Sequence, residues 1–134
     1  LQLRSAGQRA PQMPGLASAP ALIVELLDKS AAFQPGQPPH VINLTLLPHS
    51  EPDLVWLDTA LGEGSVTVLS RGYGNCRITA TATRGIWRVQ FFNSMDTLIL
   101  DTFEVTSMPE VAIAAREDLA DSASRILAVL EAVA

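Results

Sequence analysis

Residues 65–106 read SVTVLSRGYGNCRITATATRGIWRVQFFNSMDTLILDTFEVT, and their periodicity decides the fold. Through most of this stretch polar and apolar side chains alternate with a period of two, the spacing of β-strands with two unlike faces. Val66, Thr67, Val68 and Leu69 form a first strand. Arg71-Gly72-Tyr73-Gly74-Asn75 is a glycine-rich turn, with an asparagine able to cap it. Cys76, Ile78, Ala80 and Ala82 then alternate with Arg77, Thr79, Thr81 and Thr83. Arg84-Gly85 turns the chain again. Trp87, Val89 and Phe91 alternate with Arg88, Gln90 and Phe92. Asn93-Ser94-Met95-Asp96 makes another turn, and Leu98 to Val105 is the last strand. Three hairpin-like connections in a row predict an antiparallel meander. Trp87, Val89 and Phe91 are expected to face the core. Arg88, Gln90 and Phe92, with Thr79 and Thr81, are expected to form a polar face that is wet or covered by a partner.

Upstream, Ala21, Leu22, Ile23, Val24, Leu26 and Leu27 follow Pro20, a residue tolerated in a first helical turn. A helix is predicted over 20–32, ended by Gln34-Pro35-Gly36-Gln37-Pro38-Pro39. Val41, Ile42, Leu44 and Leu46 read as a short strand stopped by Pro48. Ser50 with Glu51, Pro52 and Asp53 is a helix-start signal, and Gly62 and Gly64 end that helix. Downstream of Pro109, Leu119, Ala123, Ile126 and Leu130 lie at helical spacing, giving a C-terminal helix over 116–132. The expected fold class is α+β: an antiparallel meander of four to five strands with helices packed on one face, the N-terminal and C-terminal helices among them. Residues 1–19 mix Gln, Arg, Ser, Gly, Ala and Pro without either period and read as a linker or tail, leaving 20–134 as a single domain. The first residue is Leu and not Met, as expected of a processed product or of a fragment of a longer protein.

Composition narrows the function. The net charge is −5, Lys29 is the only lysine, and the arginines are scattered. A nucleic-acid binder needs a basic face, and an anionic membrane needs a polybasic run, so neither partner is expected. No apolar run approaches the roughly 18 residues of a membrane helix. One cysteine makes no internal disulfide, which fits a cytoplasmic setting. Only 17% of residues are charged, so much of the surface is Ser, Thr, Ala, Gln or apolar, a composition suited to partner contact.

No hydrolase, kinase or dinucleotide fingerprint is present, and no catalytic, cofactor or metal site is expected. The 71–77 glycine turn leads into a strand, whereas a phosphate loop leads into a helix. Cys76 lacks a neighbouring base, because His40 and His49 both sit in proline-flanked loops, and it lacks the further soft ligands of a metal site. It reads as a buried core thiol, with a partner-facing thiol as the alternative. Asp96, Asp101 and Glu104 read as solvated strand and turn acids, with cross-sheet pairing to Arg84 or Arg88 in reach.

The strings 70–78 (SRGYGNCRI), 87–96 (WRVQFFNSMD) and 98–102 (LILDT), with Leu61-Gly62-Glu63-Gly64 before them and Glu104-Val105 behind, resemble the C-terminal region of the HupH/HyaF hydrogenase-expression proteins. That resemblance implies an accessory, non-enzymatic role in the maturation of [NiFe] uptake hydrogenase. It also implies a chaperone or assembly factor that binds the iron–sulfur small subunit, alongside other maturation proteins. No catalytic residues come with it. The candidate partner-binding residues are Arg71, Tyr73, Asn75, Cys76, Arg77, Arg88, Gln90, Asn93 and Asp96. The alternative is a redox or cluster-protecting factor acting through Cys76. An exposed edge strand could also pair two copies.

Overall fold

The structure is a computed structural model that describes residues 17–72 and 74–134. The expected tail over residues 1–19 therefore lies almost wholly outside the described residues, as does Tyr73. Elements follow in the order α1 (Ala19–Ala32), β1 (His40–Asn43), α2 (Glu51–Leu61), β2 (Glu63–Arg71), β3 (Asn75–Thr81), β4 (Ile86–Phe92), β5 (Leu98–Val105) and α3 (Arg116–Val133), with one 3-10 turn at Glu110–Ala112. The five strands form one antiparallel sheet in the order β1-β5-β4-β3-β2. Strands β2 to β5 are the meander that the alternation of residues 65–106 predicts. β1 joins its far edge, with Ile42 opposite Phe103.

The α2–β2 junction depends on Gly62. Its φ is +77°, a region that side chains disfavour, and a Cβ there would lie 2.7 Å from the Ala82 side chain. The same junction ties the helix end to the sheet. Thr83 donates its backbone N–H and its hydroxyl to the Leu61 carbonyl, at 3.1 and 2.9 Å.

Both sheet faces carry buried residues, which corrects the expectation of one dry and one wet face. On the first face α1 and α2 cover Ile42, Ile86, Phe103 and Val105 with Leu22, Leu26, Leu57 and Leu61. On the second, Trp87 and Val89 join Cys76, Ile78 and Ala80, with Phe91 and Val68 packed alongside. The indole N–H of Trp87 donates to the Thr106 carbonyl at 3.0 Å, pinning the chain as it leaves β5.

The helices thus lie over the face that carries Arg88, Gln90 and Phe92, the face expected to be wet. None of these three is fully exposed, and Arg88 reaches Asp58 of α2. Asp101 and Glu104 are likewise not solvated: Asp101 is buried and Glu104 half-buried. α1 and α2 do this packing, whereas α3, the C-terminal helix, contributes no buried residue. Among the described residues no helix is long and apolar enough to cross a membrane.

Candidate functional site

Strand register determines which candidate residues meet. Leu69 stands opposite Arg77, and Arg71 opposite Asn75, across the β2–β3 pair. Asn75 faces Phe92, and Arg77 faces Gln90, across β3–β4. All these side chains therefore share the helix-bearing face, beyond the edge of α2. All but Gln90 line a depression of about 350 Å³, together with Asp96, Ser70 and Cys76. Arg71 and Arg77 are both exposed. The Asn75 amide donates to an Asp96 carboxylate oxygen at 3.1 Å, which joins the β2–β3 turn to the β4–β5 turn.

A second depression, of about 560 Å³, lies on the same face beside the first. Arg77 belongs to both. Gln90, Arg88, Thr79, Asp58 and Leu54 line it, so the groove runs from the β2–β3 turn to the flank of α2. Together the two halves offer guanidinium and amide donors over a partly apolar floor. Among the described residues no nucleophile–base pair lies along it.

Arg88 differs from the other candidates. Its guanidinium makes two hydrogen bonds to the Asp101 carboxylate, 2.6 and 2.5 Å, and a longer contact of 3.4 Å to Asp58 on α2. It also lies 5.2 Å from the centroid of the Phe103 ring. Burial alone would lower its pKa, but hydrogen bonds and charge from Asp101, with Asp58 behind, hold it above the usual value. The cross-sheet pairing anticipated for Asp101 is present, and its effect is to fix Arg88 as a structural groove wall.

Asn93 serves its own turn. Its side-chain oxygen accepts from the backbone N–H groups of Met95 and Thr97, at 2.9 and 3.0 Å, while Asp96 takes a positive φ of 60°. The side chain is committed inside the loop and shapes the groove end without lining it.

Cys76 pairs in register with Phe91, which places its thiol in the Trp87 cluster on the opposite face. It is only 5% exposed. Burial pushes its pKa up, and the Glu104 charge pushes it further. Glu104 is itself raised, first by burial and then by the charge of Glu110. The thiolate needed for redox or ligand chemistry is thus disfavoured. An aromatic disulfide reagent is expected to modify Cys76 in the native chain roughly 100-fold more slowly than in urea-unfolded chain. Equal rates would return the thiol to consideration.

Leu69 and Asp58 were missed as groove residues. Leu69 was legible, being two residues before Arg71 on the same strand and so on the same face. Asp58 was not, because no local pattern brings α2 over β4. His40, away from the groove, pairs with Glu25 of α1 at 2.6 Å. Among the described residues no group of three or more His, Cys, Asp or Glu could hold a metal ion.

Comparison with known proteins agrees with this fold. Residues 16–133 match the family described as HupH hydrogenase expression protein, C-terminal conserved region. The chain is 69% identical over 129 residues to hydrogenase expression/formation protein HupH of Rhodobacter capsulatus, covering 95% of this chain and 46% of that protein. It is 37% identical over 121 residues to hydrogenase-1 operon protein HyaF of Escherichia coli, covering 90% of this chain and 42% of that protein. The solved structure of hydrogenase expression protein HupH from Thiobacillus denitrificans superposes with a TM-score of 0.75 at 28% identity, over 87% of this chain and 95% of that one. The chain spans less than half the length of these curated relatives. With the family match covering nearly its whole length, the chain belongs to the HupH hydrogenase expression proteins and corresponds to their C-terminal conserved region.

Proposed function

We propose that this chain is a binding module in hydrogenase maturation, an assembly factor and not an enzyme. Its partner is the immature iron–sulfur small subunit of a [NiFe] uptake hydrogenase, and its action is cytoplasmic. Relatives named as hydrogenase expression or formation proteins support the process. The observation that carries the mode of action is the pair of depressions on one sheet face that share Arg77, lined from Arg71 at one end to Asp58 at the other. An extended segment laid along it would meet the Arg71 and Arg77 guanidinium groups, the Gln90 amide and the Leu69 and Phe92 side chains. Such arginine and aromatic positions carry a large share of binding energy in protein interfaces.

The test uses Arg71→Glu and Arg77→Glu, both surface changes that leave the core intact. Co-purification with the small subunit from hydrogenase-expressing cells should fall at least about tenfold for the double variant, an effect expected of reversing two interface charges. Undiminished capture by the folded double variant would reject this face as the docking site. The thiol reading of Cys76 has one observation in its favour, that Cys76 is among the residues lining the groove, but its thiol lies on the opposite face.

A further inference from the structure

α3 is an 18-residue helix on which every residue is exposed. Isolated helices of this length are marginal in water, and most helices in proteins are stabilised by packing an apolar face. α3 has such a face. Leu119, Ala123, Ile126, Leu130 and Val133 recur at alternating intervals of four and three, a heptad seam, with Leu127 and Val129 flanking it. The six large apolar side chains are 54–77% exposed.

We infer that α3 is a self-association helix, and that two copies of this chain pair antiparallel along this seam. Three observations select a second copy as the occupant. First, the seam is built of Leu, Ile, Val and Ala alone, a composition complementary to itself. Second, a symmetric pair covering these side chains would bury on the order of 1,200 Å², the lower end of a stable specific interface. Third, the charges are unevenly placed. Glu117, Asp118 and Asp121 outweigh Arg116 in the first half of the helix, whereas Glu131 and Arg125 balance in the second, with Arg125 reaching back to Asp121 at 2.8 Å. A parallel pair would set the acidic halves side by side. An antiparallel pair separates them and opposes the helix dipoles. No α3 residue lines the groove, so the inference does not rest on the partner proposed above.

Sedimentation equilibrium of the full chain should give twice the 14.3 kDa chain mass at tens of micromolar, the range expected of an interface near the lower size limit. Ile126→Glu with Leu130→Glu should sediment as a monomer with unchanged near-ultraviolet dichroism, because α3 supplies no buried residue. The milder Leu130→Glu alone should weaken pairing at least about tenfold. Spin labels on Asp118→Cys, in a Cys76→Ala background, should lie on the order of 25 Å apart for antiparallel helices centred near Ile126. A monomeric parent chain would overturn the proposal. So would a dimer that survives both glutamates, which would point to the open β2 edge, and a label separation near 10 Å, which parallel helices would give.

Discussion

Replacing Asp53 by alanine should destabilise the chain by about 2–4 kcal/mol in urea unfolding, since it strands one buried and several part-buried backbone donors at once. Asp53 is fully buried at the start of α2. Within α2 it completes a capping box with Ser50: the Asp53 N–H donates to the Ser50 hydroxyl, and the Ser50 N–H returns a bond to the carboxylate at 2.8 Å. The same carboxylate accepts from the N–H groups of Ala17, Ser18 and Ala19, at 2.9, 3.2 and 3.0 Å. Ser18 is the N-cap residue of α1, yet its own side chain makes no capping bond. Asp53 does that work from 35 residues away, and one charge serves the positive ends of two helix dipoles. Without it, α1 loses its start and its register against α2.

Acid should reproduce part of that loss. Burial pushes the Asp53 carboxyl up, but the backbone donors of Ser50, Ala19, Ala17 and Ser18 outweigh it and hold the group well below the usual carboxylate range. In the unfolded chain an aspartate titrates near 3.9. A group whose pKa is depressed on folding contributes its full stability above the unfolded value and loses it as pH falls towards the folded one. The difference between parent and Asp53→Ala should therefore be constant from about pH 6 to 8 and shrink steadily below about pH 4. A gap that stays the same at pH 3 would mean that the carboxylate charge is not what holds the two helix starts.

Asp53 also shows where sequence reading stops. Ser50, the early acids and Pro52 located the start of α2 correctly, because capping is local. The second half of the Asp53 role depends on α1 and α2 meeting, and nothing within a few residues encodes that. The strands were legible for the same local reason: alternation and glycine turns place β3 to β5 within a residue or two. Which face the helices would choose was not legible. Cys76, Ile78, Trp87 and Val89 form a convincing apolar face, and they are buried, yet α1 and α2 sit on the other side over Ile42, Ile86, Phe103 and Val105. A strand with Ile86, Arg88 and Gln90 on one side looks polar until Phe103 and Val105 are set beside it by the β4–β5 register. Arg71, Asn75 and Arg77 were found together because one hairpin holds them. Arg88 was grouped with them as a surface residue because arginine is usually solvated, and its burial against Asp101 is a tertiary fact.

Arg88→Ala should accordingly behave as a core substitution, with a loss of about 3–5 kcal/mol, the range for removing one partner of a buried ion pair. The side chains of Arg88 and Asp101 are 14% and 9% exposed. Truncating the arginine leaves a carboxylate that water reaches poorly, and it removes the contact with the Phe103 ring. Asp101→Ala should cost a similar amount from the other side. The pair as a whole is a different matter, because desolvation of two charges offsets most of their attraction. Arg88→Met with Asp101→Leu should therefore be more stable than either single variant, and roughly as stable as the parent. Because the charges are shielded from solvent, 1 M salt should change the single-variant losses little. These measurements also separate structure from binding. A folded Arg88→Met/Asp101→Leu chain that still captures its partner would assign recognition to the Arg71–Arg77 half of the groove. A loss below about 1 kcal/mol for Arg88→Ala is the figure typical of exposed ion pairs, and would show that α2 does not seal this wall.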